Sequence, residues 1–362
     1  MADAALLGLI EQVQSARAAK VPLDIRGGGS KLWYGGKPQG QALDVTPLAG
    51  ISSYEPTELV VTVRAGTRLS ALEATLAETG QVLPFEPPRF GGQGTVGGMV
   101  AAGLAGPARA TVGGVRDYVL GATLLNGRGE LLSFGGQVMK NVAGYDVSRL
   151  LAGSLGVLGV ICEVSLKVLP KPPATQTLRF DLDEAAALKK LNEWGGLPLP
   201  LSASAWWDGA LVLRLAGAAA AVQSARQRLG GELIDPPLAS AFWTGLRDQT
   251  DEFFAGAEKA VSLGATLWRL SVPQTAPPLK LSGEQLVEWN GGQRWLCTST
   301  APGLVREAAA TAGGHATLYR GIDKSSGVFA PLKAPLDRIH RQLKTAFDPD
   351  GLFNRGRLVP EF

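Results

Sequence analysis

Glycine is gathered into three segments ahead of residue 160: Gly27-Gly28-Gly29, Gly91 to Gly98, and Gly153 to Gly159. A residue without Cβ lets one backbone lie against another backbone or a ligand, and it costs chain entropy wherever that closeness is not used. The first segment follows a short strand, Val21 to Ile25, and reads Arg26-Gly27-Gly28-Gly29-Ser30-Lys31. Successive glycines let several N–H groups converge on a concavity suited to phosphate oxygens. Arg26 and Lys31 add positive charge, and Ser30 adds a hydroxyl. An ordinary glycine turn has the same letters, so this segment by itself leaves both readings open. A P-loop is excluded, because Gly36-Lys37 is followed by Pro38 and not by Ser or Thr.

In the second segment Gly92, Gly94 and Gly97 satisfy G-x-G-x-x-G, and Asp117 follows Gly97 by twenty residues. A Rossmann fingerprint must follow a buried strand, whereas Pro87-Pro88-Arg89 precedes this one. The segment reads instead as a second glycine loop that admits a flat ligand. In the third, Gly153, Gly156 and Gly159 recur at every third residue before a strand. That spacing serves close approach to a ligand or close packing of strand on helix equally well.

Between these segments the pattern is that of an α/β unit. Residues 4–19 carry Leu6, Leu7, Ile10 and Val13 near one helical face. Residues 59–63 read as a strand, then Leu69, Leu72 and Leu76 keep helical spacing until Gly80. Residues 118–134 read as a hairpin turning at Asn126-Gly127. Residues 157–169 read as a strand that ends at Lys171-Pro172-Pro173. Beyond it, strands at 211–213 and 265–270 alternate with helices at 219–229 and 302–312, as in an α+β cap. Pro335 opens a last helix, with Leu336, Ile339 and Leu343 on one face, before the turn Asp348-Pro349-Asp350-Gly351 and Asn354.

Composition narrows the function. A chain of 362 residues, 45% hydrophobic and 19% charged, supplies packed cores for two domains. A net charge of +3, without Lys/Arg runs interleaved with aromatics, excludes a nucleic-acid binder. Cys162 and Cys297 have neither disulfide-framework nor metal-ligand spacing, and Cys162 falls in an apolar run as a core residue. With only His315 and His340, a multi-histidine zinc site is impossible, and no metal is expected. Asp3 and Glu11 stand where a signal peptide needs a basic flank. Arg214 interrupts the longest apolar stretch, short of the ~18 residues that cross a bilayer. The expectation is a cytoplasmic chain that meets a membrane only through a partner.

The order of these motifs resembles the FAD-binding domain of the vanillyl-alcohol-oxidase, or PCMH, type. Its marks here are Arg26 to Lys31, Thr95-Val96-Gly97-Gly98, Gly113 to Gly121, Lys140 to Asp146, Gly153 to Val160, and Asp348 to Asn354. Within that superfamily the chain is most similar to the second flavin-binding subunits of bacterial glycolate oxidases, through Lys140 to Leu151 and Gly313 to Gly321. The resemblance is strong over about 20–170, moderate over 313–362 and thin between. It implies an α+β fold, with a two-lobed FAD-binding domain over 1–170, a smaller α+β cap over 171–330, and a return segment over 331–362. It implies that Arg26, Gly27, Gly28, Gly29, Ser30 and Lys31 cradle the pyrophosphate, and that Thr95, Val96, Gly97 and Gly98 line pyrophosphate and isoalloxazine. Arg116 and Asp117 would sit near the ribityl or adenosine part, Gly156, Gly159 and Val160 would pass the adenine, and Asn354 would reach the flavin ring. The His or Cys by which some relatives tether FAD is missing from the pyrophosphate loop, so binding is expected to be non-covalent. Arg355 stands where the family usually has Pro.

Oxidising a 2-hydroxy acid needs a cation for its carboxylate and a base for its hydroxyl. Lys140, Arg320 and Lys324 are candidates for the first and His315 for the second, although each also reads as an ordinary surface residue. Catalytic relatives carry a histidine-rich metal motif in the cap, where this chain has only His315. The expected role is therefore a redox subunit of a glycolate dehydrogenase complex, beside a catalytic flavin subunit and an iron–sulfur subunit. Two alternatives stay open: a subunit whose FAD is structural and does not turn over, and a stand-alone flavin oxidoreductase. Trp206, Trp207, Trp243 and Phe253-Phe254 suit either the cap's own core or a partner interface.

Overall fold

The computed structural model describes residues 3–136 and 146–362. Lys140 and its motif up to Tyr145 lie outside the described residues. The chain opens on α1 (Ala4–Ala19), capped by Asp3, whose carboxylate accepts from the Ala5 N–H. The buried face of α1 is Leu9, Val13 and Ala16, while Leu7 is exposed. Leu6 and Ile10 of the predicted face are partly buried against the same core, so the buried face is shifted to one side of the predicted one. Next, β1 (Leu23–Arg26) pairs in parallel with β2 (Gln41–Asp44).

Then come β3 (Ile51–Glu55), β4 (Val60–Arg64) and α2 (Leu69–Glu78). Leu69, Leu72 and Leu76 are buried as their spacing predicts, and Gly80 follows at φ 66°. After β5 (Gln81–Val82), the expected second glycine loop is in part a helix, α3 (Val96–Ala102). The short α4 (Arg109–Val112) and α5 (Val115–Tyr118) lead into β6 (Val119–Leu125) and β7 (Leu131–Gly135). The hairpin is there, but its turn is wider than a two-residue Asn-Gly turn. The Asn126 side-chain oxygen accepts from the N–H groups of Arg128 and Glu130, and Gly129 takes the positive φ. β8 (Val160–Lys167) then runs through the middle of an antiparallel sheet ordered β3-β4-β8-β6-β7, and β9 (Leu169–Pro170) pairs with β5. Cys162 is buried in this part, and burial pushes its thiol up to about 12.

The region expected as a cap is built on one eight-stranded antiparallel sheet. Its elements, in chain order, are β10 (Ala174–Asp181), α6 (Glu184–Gly195), β11 (Leu201–Trp207), β12 (Ala210–Gly217), α7 (Ala219–Leu229), β13 (Glu232–Leu233), α8 (Pro236–Asp248), α9 (Glu252–Ser262), β14 (Thr266–Ser271), β15 (Glu284–Glu288), β16 (Gln293–Thr298), α10 (Pro302–Thr311) and β17 (His315–Arg320). Strand alternation splits β14 between two cores. Leu267 faces one with Trp243, Phe253, Phe254, Trp295 and Tyr319, and Trp268 faces another under α10. The first core also takes in Tyr34, Ala102, Leu104 and Leu155 from the N-terminal half, so sheet and lobes share apolar surface. Trp243, Phe253 and Phe254 are thus spent inside this core, and Trp206 donates its indole N–H to the Leu182 carbonyl. Polar contacts add to the junction. Glu86 accepts from the Ala108 N–H and pairs with Arg214, and the Trp289 indole N–H donates to the Gly106 carbonyl.

The chain ends by returning to its beginning. α11 (Leu336–Phe347) starts one residue after Pro335, and of its expected apolar face only Leu343 is used. Leu343 and Phe347 pack on the N-terminal core, whereas Leu336 and Ile339 are exposed. Lys344 is buried, donating to the carbonyls of Val157 and Phe353 and to Asp348 at 2.6 Å. The Asp348 carboxylate also accepts from the N–H groups of Leu352 and Phe353. Every polar atom of this buried pair is therefore used, the condition under which burying an ion pair is tolerated. Lys344→Met should lower the unfolding free energy by about 3–5 kcal/mol, because Asp348 would stay buried without its cation. Chemical denaturation checks this, and a loss below ~1 kcal/mol would show that the pair does not anchor the return.

Candidate functional site

A cleft with about 750 Å³ of atom-free space, partly open to solvent, lies where the N-terminal elements and the C-terminal return meet. Its lining includes Ile25 to Leu32, Thr95, Gly97, Gly98, Gly156, Gly159, Asn354 and Arg357. The three glycine segments, far apart in sequence, thus converge on one space.

Hydrogen-bond accounting separates their roles. No acceptor among the described residues takes the N–H groups of Gly27, Gly28, Gly29, Ser30 or Lys31. A run of unused donors beside a cleft is what an anion site requires. The corresponding groups of the second segment are already committed. The Val96 N–H donates to the Thr67 carbonyl, that of Gly97 to the Ala65 carbonyl, and that of Gly98 to the Thr95 hydroxyl. Val96 to Gly98 accordingly contribute shape and not backbone donors.

The glycines have different physical reasons. A Cβ on Gly28 would fall 1.4 Å from the Gln93 carbonyl oxygen, so this residue is glycine because two loops lie backbone on backbone. Gly29 has φ +72° and meets nothing closer than Leu32 at 3.8 Å, so conformation selects it. Gly98 is helical, and a Cβ there meets only the Thr95 hydroxyl, at 3.1 Å. Its missing side chain therefore leaves space in the cleft.

Charge is uneven. Arg26 is paired with the buried Asp24 at 2.6 Å. Lys31 has no carboxylate within 4.0 Å among the described residues; its amine touches the Ser30 hydroxyl and lies 5.5 Å from the Phe90 ring centre. Burial brings its pKa down to about 8. Asn354 differs from expectation, because both ends of its carboxamide are used within the protein. Its oxygen accepts from the Ile25 N–H, and its nitrogen donates to the Leu155 carbonyl. It lines the cleft as a staple. Gly156 and Gly159 line the cleft too, and Val160 lies in the core beside them.

Several predicted residues are not brought to the cleft. Arg116 and Asp117 are exposed on α5, where Asp117 accepts from the Gly114 N–H. Arg320 stacks on the Trp33 ring at 4.0 Å, and Lys324 donates to the carbonyls of Trp33 and Gly35. His315 is exposed at the start of β17, paired with Ser271. Conversely, sequence reading missed Arg357. It lines the cleft and donates to the carbonyls of Leu32 and Gly36, yet no periodicity or motif marks it. Among the described residues no His/Cys/Asp/Glu cluster is arranged to hold a metal ion.

Comparison with known proteins bears on this cleft. The pattern of a family described as "FAD binding domain" matches residues 8–135. The chain is 49% identical over 353 residues to the glycolate oxidase subunit GlcE of Escherichia coli (strain K12), which covers 98% of this chain and 97% of that protein. It is 32% identical over 161 residues to the glycolate oxidase subunit GlcD of Bacillus subtilis (strain 168), covering 44% of this chain and 34% of that protein. A solved alkyldihydroxyacetonephosphate synthase superposes with a TM-score of 0.65 at 15% identity, over 96% of this chain and 73% of that one, and so shares the fold.

Gly98→Ala should leave the Tm of the ligand-free chain equal or higher, since alanine favours a helix by about 0.5–1 kcal/mol. FAD affinity measured by titration should fall at least about tenfold, because the methyl enters the cleft; unchanged affinity would remove α3 from the binding surface. For Lys31, an anionic ligand favours the charged amine, so binding takes up a proton above about pH 8. Affinity should fall as pH rises from about 8 towards 10.5, and Lys31→Met should flatten that dependence. Over the same window the ligand-free fold gains stability, because there the unfolded chain binds the extra proton.

Proposed function

Because this chain belongs to the family of the glycolate oxidase subunit GlcE, we propose that it holds one FAD non-covalently and serves as a redox subunit of a complex that oxidises glycolate or a related small 2-hydroxy acid. The observation that carries the cofactor assignment is the run of unused N–H groups from Gly27 to Lys31, beside a lysine without a carboxylate partner. Those donors and Lys31 would hold the pyrophosphate, Gly98 would make room for it, and Gly156 and Gly159 would let the nucleotide pass close to the backbone. The chemistry FAD supplies when bound is acceptance of two electrons from a substrate carbon. Asn354 and Arg357 keep the wall of the cleft in place. Residues 1–170 are assigned to the flavin site, 171–330 to the cap and 331–362 to the return.

Electrons must then leave by way of other subunits. The two cysteines are free and buried, too few to ligate an iron–sulfur cluster. We assign the partners as a catalytic flavin subunit and an iron–sulfur subunit. We assign the complex to the cytoplasm, with any membrane contact made by a partner. No helix among the described residues is long and apolar enough to cross a membrane. A second reading, in which this FAD is held but does not turn over, is favoured by the substrate candidates themselves. Arg320 and Lys324 are engaged with the 33–35 backbone and ring, and His315 stands exposed at a sheet edge.

The test begins with the purified chain. Acid precipitation should release its flavin into the supernatant, and yellow colour kept in the pellet would contradict non-covalent binding. With glycolate and an artificial acceptor, the isolated chain should show negligible turnover. Co-expression with the two partner subunits should give one co-purifying, active complex. Turnover by the isolated chain at the rate of that complex would overturn the assignment of a partner.

A further inference from the structure

The segment Lys31 to Gly36 runs as a wall between two cavities, with Lys31 and Leu32 lining one and Leu32 and Gly36 the other. On one side is the cleft. On the other is a groove with about 1860 Å³ of atom-free space, open to solvent, between the 322–332 loop, the start of α11 and the last residues of the chain. Leu32 and Arg357 line both. We propose that this groove docks an acidic segment of a partner subunit, anchored by apolar side chains, and that docking is felt in the flavin cleft through the 31–36 wall. The proposal rests on the partner reading above.

Charge and apolar surface both point to that occupant. Lys37, Arg306, Lys324, Arg341 and Arg357 line the groove against the acids Asp337 and Glu361. Lys324 has no carboxylate within 4.0 Å among the described residues; its amine is satisfied by two backbone carbonyls. Burial, then Arg357 and Arg320, push its pKa down, as expected of cations gathered without a counter-charge. The Arg306 Nε and an Asp337 carboxylate oxygen are buried without a hydrogen-bond partner among the described residues. Beside these charges, Ile322 is 75% exposed and Leu32 38%. Exposed apolar side chains set among charges suit a docking site. The cap's large aromatics are not available for this purpose, because Trp243, Phe253 and Phe254 fill the cap's own core.

The wall supplies the coupling. Lys324 and Arg357 hold it by its carbonyls, at Trp33 and Gly35 and at Leu32 and Gly36 respectively. A carboxylate arriving from the groove competes for those same donors. The wall it releases or re-aims carries Lys31 on the cleft side.

The experiment co-expresses the full chain with the flavin and iron–sulfur subunits of the same oxidase. It compares the wild type with Ile322→Asp/Arg341→Glu, both outside the cleft lining, and with Leu238→Asp, an exposed site on α8, as control. The double variant should co-purify with its partners at least about tenfold less, while the chain alone keeps wild-type Tm and FAD content. The control should assemble normally. In the wild-type complex, hydrogen exchange at the amides of residues 32–36 should differ from that of the free chain. A double variant that assembles as well as wild type overturns the groove while leaving the partner reading intact. So does binding of the isolated chain to phosphatidylglycerol vesicles, or a dimer of the isolated chain, if either is lost in the double variant. A wild-type chain that holds FAD but never co-purifies overturns the partner reading itself.

Discussion

One carboxamide joins the ends of this chain to its middle. Asn354 accepts from the Ile25 N–H, donates to the Leu155 carbonyl, and gives its own N–H to the Leu23 carbonyl. It thereby ties the strand that launches the glycine loop to the turn that carries Gly156 and Gly159. The buried Lys344–Asp348 pair holds Asn354 where it can do this, by fixing the N–H groups of Leu352 and Phe353 just before it. A mobile C-terminus would leave the cleft without one wall. The energetic investment is accordingly made at a buried, fully bonded ion pair, where removing one partner is costly.

The cleft divides its labour between free donors and shape. Gly27 to Lys31 keep their N–H groups free, while Val96 to Gly98 spend theirs on Thr67, Ala65 and Thr95. Those bonds set α3 against β4, with the Gly97 position so close to Ala65 that a Cβ would lie 2.6 Å from it. One glycine segment thus keeps donors free among the described residues and the other sets position. Beside the first, Lys31 has no carboxylate within 4.0 Å, whereas Arg26 is paired with Asp24.

The cap reaches the cleft mainly through the 31–36 wall and the aromatic cluster behind it. Trp33 meets Phe90 and Tyr319 edge-on, and Tyr34 meets Tyr319 and Phe329. Edge contacts of this kind fix ring orientation as well as burying area. Together with the Lys324 and Arg357 clamps they make the 31–36 segment a shared contact of all three parts of the chain.

The helix at 4–19, the Leu69-Leu72-Leu76 face, the hairpin after Val119 and the glycine loop at 26–31 were legible in the sequence, because period, caps and glycine clusters are local signals. The resemblance carried by the spaced motifs extended this reading to the fold class and the cofactor. What local pattern does not encode is which partner a polar group finds. Whether the N–H of Gly97 faces a ligand or the Ala65 carbonyl depends on β4, some thirty residues away. Whether Lys324 meets a substrate or the Trp33 carbonyl depends on a loop about 290 residues away, and Arg357 has no neighbours in sequence that would mark it at all. Sequence therefore determined the elements and the chemistry available to them. Tertiary structure decided which donors stay free, because long-range backbone contacts consume hydrogen-bonding capacity that no nearby residue records.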